Sequence, residues 1–424
     1  MTDFIFDRKN YIAFYVVGYL LRGIIYHFIP VINDILLYGT LLWSFLIIGK
    51  DLSGGLKKPD TVQIPLLLFI LFAFISSILN FNELPDGAWI SLWNTVAFFF
   101  IFFTAPSRED GRIYKRFFDR ISLIAVLVVG VLAAGSLFLF GCYIAGINVP
   151  GGLASAEQLF TYGHVGEETR FCGLFGYSTD GGNLCSIGTL LMIYLLEQKK
   201  LNRWIAGAGI VMFLYTIYLL DVRTSMIEMT VVGLLLVYRL MRKKLSAGKT
   251  CLILAAGLAI GVAAVVILKQ NAINELMARL RDDPEGTLRF LSTGRTVYWK
   301  RAVEGFLKNP IFGTGWTNNS CVGYFDNHNL LFNLLLWTGL CGVGSILAFA
   351  VLFIRKLWRR RAVISEMHIT SLIILLIAVL TASVFERTIL GTANTTADTS
   401  FFWLSAGMLA YLNIRPAETE NNRS

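Results

Sequence analysis

Three arginines and one histidine stand where charge meets a glycine or a helix start. Arg170 opens the run Arg170-Phe171-Cys172-Gly173-Leu174-Phe175-Gly176, and Arg223 lies in Asp221-Val222-Arg223-Thr224-Ser225. Arg295 follows Thr293-Gly294, and His328 sits between Asn327 and Asn329. A guanidinium offers a planar fork of donors that matches phosphate oxygens, often two at a time. An imidazole can take a proton near neutral pH. Together these groups, on one face, would suit a phosphate-bearing lipid. Asn327 and Asn329 could orient the imidazole, and Arg301 adds charge in the helix that Arg295 begins. Each residue has a plainer reading. Arg170 could mark a loop end, Arg223 could snorkel to the interface, Arg295 could pair with a loop carboxylate, and His328 could be a satisfied interfacial histidine. No H-E-x-x-H, Walker A or strand-linked G-x-G-x-x-G run is present, and no carboxylate cluster suggests a divalent metal.

The elements that must position these groups are apolar. Of 424 residues, 55% are hydrophobic and 15% charged, with mean hydropathy +0.63. Apolar runs long enough to cross a bilayer recur throughout, and about twelve spans are expected. They fall near 12–29, 33–49, 62–80, 88–105, 117–141, 182–197, 201–220, 223–241, 250–269, 327–354, 367–385 and 398–413. The first contains Arg22 and lacks a small-residue cleavage site, so it reads as a retained helix. Basic residues follow every second span, as at Lys57 and Lys58, Arg112 to Arg120, Lys199 to Arg203, Arg239 to Lys249 and Arg355 to Arg361. That alternation explains the net charge of +9 as a topology signal and gives no reason to expect nucleic acid. It puts both termini in the cytoplasm, with loops 142–181 and 270–326 outside. The expectation is one membrane domain over 1–424, all-α, with a large ordered outer loop between helices 9 and 10 and a disordered tail at 415–424. The six cysteines are singletons without C-x-x-C spacing and read mostly as small apolar residues, with a disulfide among Cys142, Cys172 and Cys321 left open.

Within the second loop, Trp299, Ala302, Val303, Phe306 and Leu307 recur at helical spacing, opposite Arg301, Glu304 and Lys308. Asn309-Pro310 is a stop signal, and Phe312-Gly313-Thr314-Gly315-Trp316 a flexible turn. The basic residues of this loop, Arg279, Arg281, Arg289, Arg295, Lys300, Arg301 and Lys308, break the charge rule and suggest an anionic ligand. The plainer reading is a solvated face balanced by Glu275, Asp282, Asp283, Glu285 and Glu304.

The run G-R-x-x-x-W, then N-P-x-x-G-x-G, then H-N, then W-T-G-x-x-G resembles the shared core of the bacterial O-antigen ligase and Wzy-type polysaccharide polymerase family. The runs at Arg170 and Arg223 resemble it too, so the motifs cover about 169–344. The resemblance implies a GT-C-like helical fold in the bacterial cytoplasmic (inner) membrane, with the active site on the outer face. It implies an inverting, metal-independent glycosyltransferase with no cofactor. The donor would be an undecaprenyl-diphosphate-linked glycan, and the acceptor a second glycan or lipid A-core. Partners would be the bilayer and other polysaccharide-assembly proteins. In this resemblance Arg223 and Arg295 bind the diphosphate, with Arg170 a weaker match, and His328 is the base. Family members often carry an acidic residue after the His region where this chain has Trp337. The short Gly315–His328 segment favours a polymerase over a ligase with a large acceptor-specific insert. A transporter or flippase is the remaining alternative. It would want ionisable residues near the midplane, where only Arg22 and Glu228 look embedded.

Overall fold

The computed structural model describes residues 2–22, 30–54, 58–108, 110–149, 155, 159–162, 169–242, 245–246, 248–249, 295–322, 329–384, 389–390 and 397–413. It is built from helices: α1 (Arg8–Leu20), α2 (Pro30–Ser53), α3 (Gln63–Leu79), α4 (Ala88–Ala97), α5 (Gly111–Ile144), α6 (Ser178–Glu197), α7 (Arg203–Leu219), α8 (Arg223–Arg242), α9 (Arg295–Lys308), α10 (Leu330–Arg359), α11 (Ser371–Ser383) and α12 (Ala397–Tyr411). A small antiparallel hairpin, β1 (Phe160–Tyr162) and β2 (Thr169–Phe171), interrupts the helical order between α5 and α6. Helix starts follow local chemistry. The side chains of Asp110, Asn202 and Asn329 accept hydrogen bonds from the first free N–H groups of α5, α7 and α10. Small residues let helices approach: a Cβ on Gly188 of α6 would come within 2.7 Å of the Phe213 ring on α7. After α4 the chain continues as a π-turn over Phe98–Phe103. A Cβ on Gly407 of α12 would lie 2.4 Å from the Phe103 carbonyl.

The expectation of about twelve spans in a GT-C-like architecture is corrected here. Among the described residues four helices are long and apolar enough to cross a membrane: Asp34–Ser53, Gly111–Ile144, Arg223–Met241 and Leu330–Arg359. The segments Gln63–Leu79, Ala88–Phe103, Arg203–Leu219 and Ser371–Ser383 are apolar but shorter. The run at 250–269 lies outside the described residues. An apolar run reports burial without saying whether lipid or protein covers it. α12 shows this: Phe401, Phe402, Trp403, Leu404, Met408 and Leu409 are all buried in the bundle. The large ordered loop between a ninth and a tenth helix is likewise not found as expected. Residues 270–294 lie outside the described residues, and from Arg295 onward the chain forms α9 and a loop packed onto α10. The five described cysteines are free thiols.

Ion pairs fasten one end of the bundle. Asp51 of α2 bonds both Arg8 and, at 3.0 Å, Arg108. Glu197 of α6 pairs with Arg239 of α8 and accepts the Ser371 N–H of α11 at 2.9 Å. Asp60 pairs with Lys356 of α10. Partial burial pushes the Asp60 carboxyl up, but the bonds from Lys356 and from the Val62 and Gln63 N–H groups outweigh it and hold the carboxyl below its usual range.

α10 is broken at Gly339, whose φ of 60° and ψ of −161° leave the helix. A break strands carbonyls before it and N–H groups after it, and a bilayer cannot supply partners. The loop after α9 supplies them instead. Thr314 N–H donates to the Leu336 carbonyl (2.7 Å) and Gly315 N–H to that of Trp337 (3.3 Å). Beyond the break, Leu340 N–H donates to the Pro310 carbonyl (2.8 Å) and Cys341 N–H to that of Ile311 (3.2 Å). α3 locks the joint. The Ser76 hydroxyl donates to the Trp337 carbonyl (2.7 Å) and accepts from Gly315 N–H (2.9 Å). Ser77 accepts from Trp316 N–H (3.2 Å), and Ser91 of α4 from the Trp316 indole (3.0 Å). Trp316 and Trp337 are fully buried with ring centroids 5.3 Å apart. The glycines are obligatory here, since a Cβ on Gly339 would sit 2.4 Å from the Ile311 carbonyl oxygen.

Gly339→Ala should therefore destabilise the purified protein by about 1–3 kcal/mol, through a strained φ and a backbone clash. Gly344→Ala on the same helix meets nothing within 4 Å and should be neutral or stabilising by about 0.5–1 kcal/mol. Thermal unfolding of both variants in detergent checks this; equal midpoints would show that the break is not strained.

Candidate functional site

The ion-paired end fixes where the candidate residues lie. Arg239 and Ser371 meet at Glu197, so the packed helices α8 and α11 run antiparallel. Arg223, the first residue of α8, is thus at the opposite end, where α11 finishes. Asn329 is at that end too. Its amide donates to the Val384 carbonyl just past α11 (2.7 Å), while its carbonyl oxygen caps α10 by accepting from Leu331 (2.9 Å) and Phe332 (3.2 Å). Arg295 begins α9. One turn on, Trp299 stacks on Phe332 of α10, with centroids 5.4 Å apart at 25°. Further along, a Cβ on Gly305 would touch Cys321 and Leu336. α9 and α10 therefore run side by side in the same direction.

The outcome is three helix N-termini at one end, begun or capped by Arg223, Arg295 and Asn329. The helix dipole favours an anion at each, and two carry a guanidinium. Arg223 is exposed and Arg295 half-buried. Ser225, one turn into α8, is buried and donates to the Asn183 side chain of α6 at 3.4 Å. Asp221, before Arg223, has a φ of 49°. His328 and Asn327 lie outside the described residues; His328 directly precedes the Asn329 cap. Arg301 is exposed on α9. Arg170 lies in β2, its backbone opposite Thr161 of β1. The glycine three residues on has a packing cause: at Gly173 a Cβ would sit 2.4 Å from the Ser136 hydroxyl of α5, which accepts from Leu174 N–H (2.9 Å). Among the described residues no three His, Cys, Asp or Glu side chains gather as a metal-ligand set.

Two sequence expectations change in detail. The apolar face of α9 is narrower than its periodicity suggests: Ala302 and Gly305 are buried, but Val303 and Leu307 are 38% and 66% exposed. Trp337 is a core residue whose indole donates to the Asn319 side chain (3.0 Å). Sequence reasoning missed Ser76, Ser77, Ser91, Asn318 and Asn319 altogether. The available signal was Ser76-Ser77 and Asn80, polar groups closing an otherwise apolar helix. Glu228, expected to be embedded, is buried on α8, with the carboxyl of Asp398, buried on α12, within electrostatic range.

These features define a polytopic membrane protein whose helix starts and arginines converge at one end. Residues 208–347 match the O-antigen ligase family, a third of the chain. The match takes in Arg223, Arg295 and His328 and leaves Arg170 outside. The chain is also similar to the exopolysaccharide production protein ExoQ of Rhizobium meliloti (strain 1021), at 25% identity over 217 residues. The similarity covers 46% of this chain and 48% of that protein, so the chain spans about half the length of the curated relative it matches.

Asn329→Ala should cost about 1 kcal/mol from the lost cap, with a further loss from the Val384 carbonyl left without its donor. Asn329→Ser keeps a capping oxygen and should lose less. Thermal midpoints of the two purified variants test this; no difference between them would remove the cap from the account.

Proposed function

We propose that this protein is a membrane glycosyltransferase of the O-antigen ligase kind, moving a glycan from an undecaprenyl-diphosphate-linked donor onto an acceptor such as lipid A-core. The observation that carries the reading is the grouping of Arg223, Arg295 and the Asn329 cap at three helix N-termini on one end. An acceptor hydroxyl oxygen attacks the anomeric carbon, and the bond from that carbon to the diphosphate oxygen breaks. The leaving diphosphate takes the electron pair and is stabilised by Arg223, Arg295 and the helix ends. His328 takes the proton from the attacking hydroxyl. A single displacement of this kind inverts the anomeric centre. The same chemistry would serve a polymerase whose acceptor is a second lipid-linked glycan. The similarity to a protein named for exopolysaccharide production supports that second reading. The basic loops support a cytoplasmic position for the ion-paired end and an outer position for the arginine end.

Replacement of Arg223 or Arg295 by Lys should impair turnover, since an ammonium lacks the paired donors, and replacement by Ala should abolish it. His328→Gln should lose roughly 100- to 10,000-fold. The measurement is transfer by purified protein from a lipid-diphosphate-linked glycan, with product size separating ligation from chain extension. Wild-type turnover by His328→Gln would remove it as the base.

Orientation is read by labelling intact cells. Ser320→Cys suits this because Ser320 is exposed, whereas Asn318 is 1% exposed and holds the Thr314 carbonyl. Labelling only after the membrane is breached would invert the topology.

A further inference from the structure

Below its break, α10 has two unlike faces. Phe349 and Phe353 are buried against Phe103, and Phe349 also meets Trp403 of α12. On the opposite side Leu340, Leu347, Val351, Ile354 and Trp358 are 56% to 69% exposed. Their helical spacing lines them up in one stripe. Gly344 borders the same stripe, and a Cβ there would meet nothing within 4 Å. From Leu340 to Trp358 the stripe runs about 27 Å, close to the ~30 Å of a bilayer's hydrocarbon core.

The foot of the stripe is basic. Lys356 and Arg360 turn inward and serve the fold. Lys356 pairs with Asp60, and the Arg360 guanidinium donates to the Ala410 and Leu412 carbonyls at the end of α12. Arg355, Arg359 and Arg361 are exposed instead. The Arg361 guanidinium lies over the Trp358 ring, 5.1 Å from its centroid, and donates to the Trp358 carbonyl (3.1 Å). Arg355 follows Ile354 and Arg359 follows Trp358, so both flank the foot on one side. The short helix Arg361–Glu366 adds one carboxyl, Glu366, which leaves the group net positive.

An apolar stripe of spanning length suits acyl chains, and cations around an exposed indole at its foot suit an anion. A second copy of the chain fits this face less well. Pairing along it about an axis normal to the membrane would bring the two sets of arginines together. We infer that the foot of α10 binds an anionic phospholipid of the leaflet at the ion-paired end. Arg355, Arg359 and Arg361 hold its phosphate, and its acyl chain lies along Ile354, Val351 and Leu347. This site is separate from the arginine end and does not depend on glycan transfer.

The test is native mass spectrometry of the full chain in detergent, titrated with phosphatidylglycerol and separately with phosphatidylcholine. The first phosphatidylglycerol should bind at least about tenfold more tightly. Arg359→Gln with Arg361→Gln should lose about tenfold of that affinity. Trp358→Leu, which removes the ring beneath Arg361, should lose about threefold. Arg116→Gln with Arg120→Gln removes two exposed arginines from α5 at the same end and should leave the affinity as in wild type. All the altered side chains are exposed, so the lipid-free thermal midpoint should not move.

Equal affinity of the wild type for the two lipids would overturn the inference without recourse to any variant. Equal losses in the two arginine pairs would do so as well, by reducing the effect to overall charge. Displacement of the lipid by equimolar inorganic phosphate would remove the acyl chain from the account and with it the lipid. A dimer that excludes phosphatidylglycerol would give the face to a second copy.

Discussion

The structure depends on the satisfaction of backbone polar groups where water is scarce. A helix that breaks inside apolar surroundings leaves donors and acceptors that must find partners within the protein. At Gly339 they find the loop from Pro310 to Gly315, and the loop in turn finds Ser76 and Ser77. Because the loop belongs to the chain between α9 and α10, the direction of α9 is set by the repair of α10. The two helices then run together, with Trp299 on Phe332, and their N-termini come to the same end. Position at the arginine end is thus a consequence of hydrogen bonding deeper in the fold.

The two ends of the bundle are electrically unlike. At one, carboxylates and cations are matched across helices, as in Arg8–Asp51–Arg108 and Arg239–Glu197. Such pairs fasten the helices. At the other, Arg223, Arg295 and helix N-termini bring positive charge, with Asp221 beside Arg223 and the carboxyls of Glu228 and Asp398 buried in the fold. Under the proposed glycan transfer, this division suits a diphosphate leaving group, which gains charge as its bond breaks and needs fixed donors in place beforehand.

Much of this was legible in the residues. Arg223 and Arg295 stood out because each stands at the start of a helical pattern, and each is the first residue of a helix in the structure. The W-T-G and N-P-x-x-G-x-G runs were visible as motifs, but not as one joint, because nothing local says that Thr314 bonds Leu336. Ser76 and Ser77 were hidden for the same reason: their partners lie more than two hundred positions away in the chain. The count of spans failed on a different physical ground. Side chains packed against other helices need the same apolarity as side chains in lipid, so α12, buried from residue 398 to residue 410, reads like a span at only Ala397–Tyr411. The hairpin of β1 and β2 escaped because its strands are too short for any alternation to show.

The joint between α3 and α10 also bears on how the molecule is assembled. Residues 208–347, the stretch shared with the family, carry the arginines but do not contain everything their own backbone requires. The Trp316 N–H and the Trp337 carbonyl reach outside that stretch, to Ser77 and Ser76. Synthesis proceeds from the N-terminus, so α3 and its serines are made before the loop and the broken helix emerge. The early helix is then a waiting template, and the kink in α10 can form against it directly, without first settling as a straight helix that would later have to be unmade.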